Sequence, residues 1–149
     1  MAKTLKQLAE MMKDVDFAML STHSEGGTIA ARPMSNNRDV DYDGDNWFFA
    51  CEDTRLIADL QANPQVGLGF QAKAGLLGMK PVFVHIEGVA ELIHDKARFE
   101  EHWTKGLGLW FKQGVDTPGL VLIKVHGTRA HYWDGEDQGE ILLAREVAV

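Results

Sequence analysis

Two arginines stand where a chain could grip a phosphate group. Arg32 follows the apolar run Ile29-Ala30-Ala31 and precedes Pro33, whose ring fixes φ and removes an N–H donor, so it belongs at the edge or end of a strand. A guanidinium there offers paired N–H donors that fit a phosphate better than a flexible ammonium does. Thr54-Arg55 follows the apolar run Trp47 to Ala50 and opens a helical segment. Backbone N–H groups, a hydroxyl and a second guanidinium therefore gather at a positive helix end. Each feature also has a plainer use. Spacing alone favours a surface arginine at position 32, and it leaves an ordinary N-cap at Thr54 even with a phosphate site.

Aromatic residues come next. Trp47-Phe48-Phe49 alternates faces if it is a strand, so part of that surface points away from the main core or into a second layer. Trp103, Trp110, Phe111 and Trp133 lie in or near an irregular C-terminal third, where large rings can stack on a planar ligand, fill a subunit interface or pack the core. The 6 histidines (His23, His85, His94, His102, His126 and His131) show no HExxH or comparable spacing, so no metal is expected. The chain also lacks a Gly-x-Ser-x-Gly elbow, a Walker loop and a Gly-x-Gly-x-x-Gly turn, which leaves hydrolase, kinase and dinucleotide-fold readings without support. Cys51, the single cysteine, excludes an intramolecular disulfide and reads as buried filler rather than a nucleophile.

The whole chain bounds these readings. Its 149 residues, 45% hydrophobic, 25% charged and 9% aromatic, fit one globular domain over 1–149 with no long disordered tail. A net charge of −7 argues against nucleic acid, whose binding needs a field of Lys and Arg, yet it leaves room for a local positive spot. No apolar run nears the roughly 20 residues of a membrane helix, and the start of the chain mixes Lys and Glu with Leu. A cytoplasmic protein with no membrane contact is expected.

Short elements must position these groups. Thr4 to Asp14 predicts an amphipathic helix capped by Thr4 with Gln7, Thr54 to Ala62 a second capped by Asp53 or Thr54, and Asp95 to Thr104 a third. Strands are expected at Phe17 to Thr22, Thr28 to Met34, Asn46 to Ala50, Val66 to Phe70, Pro81 to His94, Leu120 to His126 and Arg129 to Trp133. The last two are joined at Gly127-Thr128. Ala72 to Gly78 reads as loop, Gly106 to Gly119 as irregular, and the tail from Gly135 carries no strong signal. Short strands without βαβ alternation suggest a mainly β barrel with flanking helices.

Taken in order, Val15-Asp16-Phe17-Ala18-Met19-Leu20, Arg32-Pro33-Met34, Trp47-Phe48-Phe49, Asp53-Thr54, Asn63-Pro64, Glu87-Gly88, Trp110-Phe111 and Tyr132-Trp133-Asp134 resemble the general stress protein family of FMN-binding split barrels, relatives of pyridoxamine 5′-phosphate oxidase. The resemblance spans 15–134 and leaves 135–149 as a C-terminal tail. It implies a six-stranded antiparallel split β-barrel homodimer with FMN, or FAD, in a cleft between subunits. By that similarity Arg32, Thr54 and Arg55 meet the phosphate. Pro33, Met34, Phe49 and Ala50 run along the flavin, and Trp103, Trp110 and Phe111 border its ring. Leu56 stands where the family often has a lysine, which leaves Arg32 and Arg55 as the cationic anchors. Lys112 replaces a typical proline after Trp-Phe, and Phe83 and Ala144-Arg145-Glu146 depart from the related oxidase's substrate residues. The implied function is flavin-dependent electron transfer from NAD(P)H to a small acceptor. The alternatives are a non-enzymatic flavin store and an interaction dimer without ligand.

Overall fold

The computed structural model describes residues 3–36, 40–72 and 81–143. Each of its α-helices starts where a short oxygen side chain precedes an apolar stripe. In α1 (Leu5–Met12) the Thr4 hydroxyl accepts from the Gln7 amide at 3.2 Å, and the Gln7 side chain accepts from the Thr4 amide at 2.8 Å. In α2 (Arg55–Ala62) the Thr54 hydroxyl accepts from the Ile57 amide at 3.4 Å. In α3 (Lys96–His102) the Asp95 carboxylate accepts from the Ala97 amide at 3.1 Å. All three match the helices read from the sequence, trimmed by their caps.

The strands are β1 (Phe17–His23), β2 (Ile29–Ser35), β3 (Asp45–Cys51), β4 (Gln65–Ala72), β5 (Val82–Ile93), β6 (Leu120–Asp134) and β7 (Asp137–Leu142). Among the described residues every pairing is antiparallel, and the sheet order is β2-β1-β4-β5-β6-β3, with β7 on β6. This path of six strands curls into a half-barrel. Its inner face carries Leu20, Leu68, Ile86, Val121, Ile123 and Tyr132, closed by Leu8 of α1 and Ile57 of α2. The two ends of the path, β2 and β3, face each other across an open seam.

Two sequence expectations need correction. Leu120 to His126 and Arg129 to Trp133 are one strand, because Gly127 marks a change of partner rather than an end. On one edge β6 pairs β3 from Leu120 to His126 and then β7 from Arg129 to Asp134. At the changeover Gly88 sits opposite Gly127 while Glu87 sits opposite Arg129, so Thr128 bulges out and its hydroxyl donates to the Glu87 carbonyl at 3.1 Å. The tail after Gly135 also forms structure, since Asp137 to Leu142 completes the edge that β3 leaves uncovered. Most of the predicted 72–78 loop and all of Ala144-Arg145-Glu146 lie outside the described residues.

The alternation of the aromatic run is real. Phe48 enters the main core, while Phe49 joins Ile93, Phe99, Leu120 and Leu122 in a second cluster on the opposite face. Trp47, Trp103, Leu107, Phe111 and Val115 pack onto that cluster. The irregular segment after α3 is thereby fastened beside the seam.

Candidate functional site

The seam opens into a cleft of about 510 Å³, within the usual size of small-molecule sites. One wall is Phe17 and the stretch Pro33 to Asn36, and the other is Trp47, Phe48 and Phe49. Leu107, Leu109, Trp110 and Phe111 form the roof. Pro33 suits an edge strand because it has no N–H to leave unpaired on the seam side. Asn36 fixes the far end of this wall, its Nδ2 donating to the carbonyls of Val15 at 2.8 Å and Met12 at 3.2 Å.

Aromatic packing sets the opposite wall. The His102 ring stacks on Trp47 with centroids 3.6 Å apart, and Arg98 and Lys124 each lie 5.5 Å from the Trp47 ring. Burial, the largest influence, holds His102 below the ordinary histidine range, with the Arg98 and Lys124 charges adding to it and Glu101 and Asp43 opposing. Trp103 meets Phe49 edge-on at 5.0 Å and Phe111 at 6.0 Å, so it props the cleft wall from behind. Trp110 is 63% exposed and Leu109 85%, an apolar tip at the cleft mouth.

Arg32, next to Pro33 on β2, and Arg55, at the start of α2 after β3, belong to a polar cluster. Asp59 of α2, 5% exposed, is its centre. Its Oδ2 accepts from the Thr22 hydroxyl at 2.8 Å and from Arg32 Nη2 at 3.3 Å, and its Oδ1 accepts from the Ser24 hydroxyl at 2.9 Å. Arg32 Nη1 also donates to Thr22 Oγ1 at 2.8 Å and to the Leu20 carbonyl at 3.3 Å. Arg55 Nε donates to Ser24 Oγ at 2.8 Å. Burial would by itself raise the Asp59 carboxyl. Hydrogen bonds from Thr22, Ser24 and Arg32, with the Arg32 charge, outweigh it and hold the group below its usual range.

The sequence-derived residues therefore divide between the cleft, the polar cluster and positions outside both. Pro33, Met34, Phe49, Trp110 and Phe111 line the cleft, and Arg32 and Arg55 meet in the polar cluster. Thr54 caps α2 while donating to the Cys51 carbonyl at 2.8 Å, Ala50 is buried in the main core, and Trp103 stands behind the wall. Sequence reasoning missed Asp59, Thr22, Ser24 and His102. Asp59 left one signal: a carboxylate beside Leu56, Ile57 and Leu60 on the apolar face of a helix needs partners. Cys51 is partly rather than fully buried, and burial first, then the Asp53 and Glu52 charges, push its thiol up, away from the thiolate form.

Residues 3–148 match the family model described as pyridoxamine 5′-phosphate oxidase like. The chain belongs to that family. Among curated proteins none matches it. Solved structures share the fold of this pyridoxamine 5′-phosphate oxidase like chain at low identity. A Clostridium acetobutylicum protein related to general stress protein 26 of Bacillus subtilis is 21% identical at TM-score 0.78, over 95% of each chain. General stress protein 26 from Bacillus anthracis is 18% identical at TM-score 0.71, over 92% of this chain and 98% of its own. A heme binding protein from Mycobacterium smegmatis is 13% identical at TM-score 0.76, over 95% of this chain but 59% of its own. The split half-barrel and the family expected from the sequence both stand. Among the described residues, no group of three or more His, Cys, Asp or Glu could hold a metal, and no helix is long and apolar enough to cross a membrane.

Proposed function

We propose that this pyridoxamine 5′-phosphate oxidase like chain binds a flavin nucleotide, FMN or FAD, with the ring in the seam cleft and the phosphate toward Arg32 and Arg55. One observation carries the reading: guanidiniums from separate elements meet in one polar cluster, and Arg32 directly precedes Pro33 in the wall of an aromatic cleft sized for a planar ligand. The side chains fit the group's chemistry, an apolar slot for the ring and charge-assisted donors for the phosphate. A bound flavin would supply electron transfer between NAD(P)H and a small acceptor. The chain's own part is to orient the ring between Pro33-Met34 and Phe49, to exclude water with Trp110 and Phe111, and to hold the phosphate.

A second copy of the chain completes the proposal. Phe17, Met19, Phe83 and Trp133 share the outer face of the sheet, between 36% and 53% exposed, an unusual amount of apolar surface for a strand face left in water. Phe17 also borders the cleft, so a homodimer through this face would shield one end of it.

The test is the visible spectrum of the purified protein, followed by release of the chromophore and its mass. A flavin spectrum, or its appearance after reconstitution with excess FMN, is the expected result. A colourless protein that ignores FMN, or a Soret band from heme with no flavin, would overturn the reading. Anaerobic mixing with NADH and NADPH then separates an oxidoreductase, whose flavin bleaches, from a flavin store, whose flavin does not.

A further inference from the structure

The residues that roof the cleft are held in two different ways. Leu107 and Phe111 are half-buried against the second cluster, Trp103 meets Phe111 edge-on, and the Lys96–Asp116 ion pair ties the far end of the segment to α3. Between those anchors Leu109 and Trp110 stand largely in water at the cleft mouth. Among the described residues, the backbone hydrogen bonds of 105–116 stay within 104–117. Leu107 donates to the Thr104 carbonyl at 3.1 Å, and Trp110 and Phe111 donate to the Leu107 carbonyl at 3.0 and 2.9 Å. No strand ladder fixes the tip to the sheet.

Gly106 and Gly108 flank Leu107 in a short 3-10 helix, Lys105–Leu109. Other glycines of this chain are required by the conformation they hold. Gly114 has a φ of 61°, and a Cβ at Gly88 would strike the facing strand. Gly106 and Gly108 have neither reason, because φ lies outside the left-handed region at both and a Cβ would meet nothing within 4 Å. Alanine would fit both positions and would hold the unfolded chain to fewer states. Glycine therefore gains nothing in this conformation, and its gain lies in a second one that turns the backbone through φ values open to glycine alone. The exposed tip supplies the driving force, since folding Leu109 and Trp110 inward removes a large apolar surface from water.

We infer that the stretch from Gly106 to Trp110 is a flap, open in this conformation, that turns about its glycines and folds Leu109 and Trp110 over a ligand in the cleft. Leu107 and Phe111 anchor it on either side, and hinges of this kind are a few loop residues that absorb the backbone change. The inference rests on the flavin reading above and adds to it that closure, rather than the open walls alone, retains the ligand.

Gly108→Ala tests the hinge without touching the ligand, because Gly108 is not among the cleft-lining residues. Without ligand, the variant of the full-length protein should melt at or slightly above the wild-type temperature. A lower melting temperature would mean that the present conformation itself needs glycine, which overturns the flap. FMN binding followed by stopped-flow flavin fluorescence should show an association rate within about twofold of the wild type and a dissociation rate about fivefold or more faster, since entry uses the open state and closure is denied to alanine. Dissociation at the wild-type rate overturns the flap and leaves the flavin reading intact. Trypsin gives a second readout at Lys105 and Lys112, which are exposed on either side of the tip. Saturating FMN should slow cleavage at both about tenfold in the wild type and less than about threefold in Gly108→Ala. Equal protection in the two proteins counts against closure, and a wild type that binds no FMN overturns both readings.

Discussion

Arg32 and Arg55 differ in what each holds up. Arg32 lies over a buried carboxylate and ties β1, β2 and α2 together, while Arg55 reaches the cluster only through Ser24. Arg55→Ala should therefore weaken flavin binding by about 1.5–3 kcal/mol and leave the melting temperature nearly unchanged. Arg32→Ala should weaken binding to a similar degree and also lower the melting temperature, because it leaves Asp59 charged and without its ion-pair partner. Titration and calorimetry on the two variants check this, and equal melting temperatures for both would remove the structural part assigned to Arg32. His102 gives a pH prediction. Its folded-state pKa lies below the ordinary value, so below about pH 6.5 the unfolded chain binds more protons than the folded one, and stability falls with pH through that window. His102→Gln should flatten the stability profile between about pH 5 and 6.5, measured by denaturant unfolding; an unchanged slope would rule out His102 as the titrating group. At this scale the sequence showed which groups could hold a phosphate but not that a buried carboxylate lies among them. Asp59 and Arg32 are neighbours only because α2 folds back over β1, and no spacing rule encodes that.

The elements were more legible than their pairings. Helix starts were read correctly since a cap is a local device: Thr4, Thr54 and Asp95 act within three residues of themselves. The division of β6 failed for the opposite reason. Gly127 looks like a strand end, and its meaning comes from Tyr42, Gly44 and Leu143, which crowd the place where its Cβ would be. Gly88, on the facing strand, is equally constrained, as a Cβ there would lie 2.7 Å from the His126 carbonyl oxygen and 3.0 Å from a Val125 methyl. Gly88→Ala should cost about 1–3 kcal/mol by overpacking. Gly69→Ala is the control, because a Cβ there meets nothing within 4 Å, and it should stay within about 0.5 kcal/mol of the wild type. Urea unfolding of both variants measures the difference, and equal stabilities would mean the backbone at the bulge relaxes freely.

For the whole molecule, the six-strand path was expected, but the seam could not be read from the sequence. The cleft exists because β3 passes over its neighbours in sequence to pair with β6, far along the chain, and so ends up facing β2 without bonding to it. The exposed outer face gives this scale its prediction. Met19→Glu places a charge among Phe17, Phe83 and Trp133 without entering the core, so it should shift sedimentation from dimer to monomer and weaken flavin binding while the chain stays folded. A wild type that sediments as a monomer would refute the homodimer.

The hairpin that completes the edge of β6 has a practical consequence. Residues Arg129 to Asp134 pair β5 along one edge, and their other edge is covered because Asp137 to Leu142 lies beside it. A protease cut in the Gly135-Glu136 turn, followed by loss of the short strand, would bare that row of N–H and C=O groups on an otherwise intact sheet. Such an edge is a template for the strands of other chains. Slow clumping on storage, in step with trimming of the C-terminal end, would be its signature, and intact mass would reveal the trimming first.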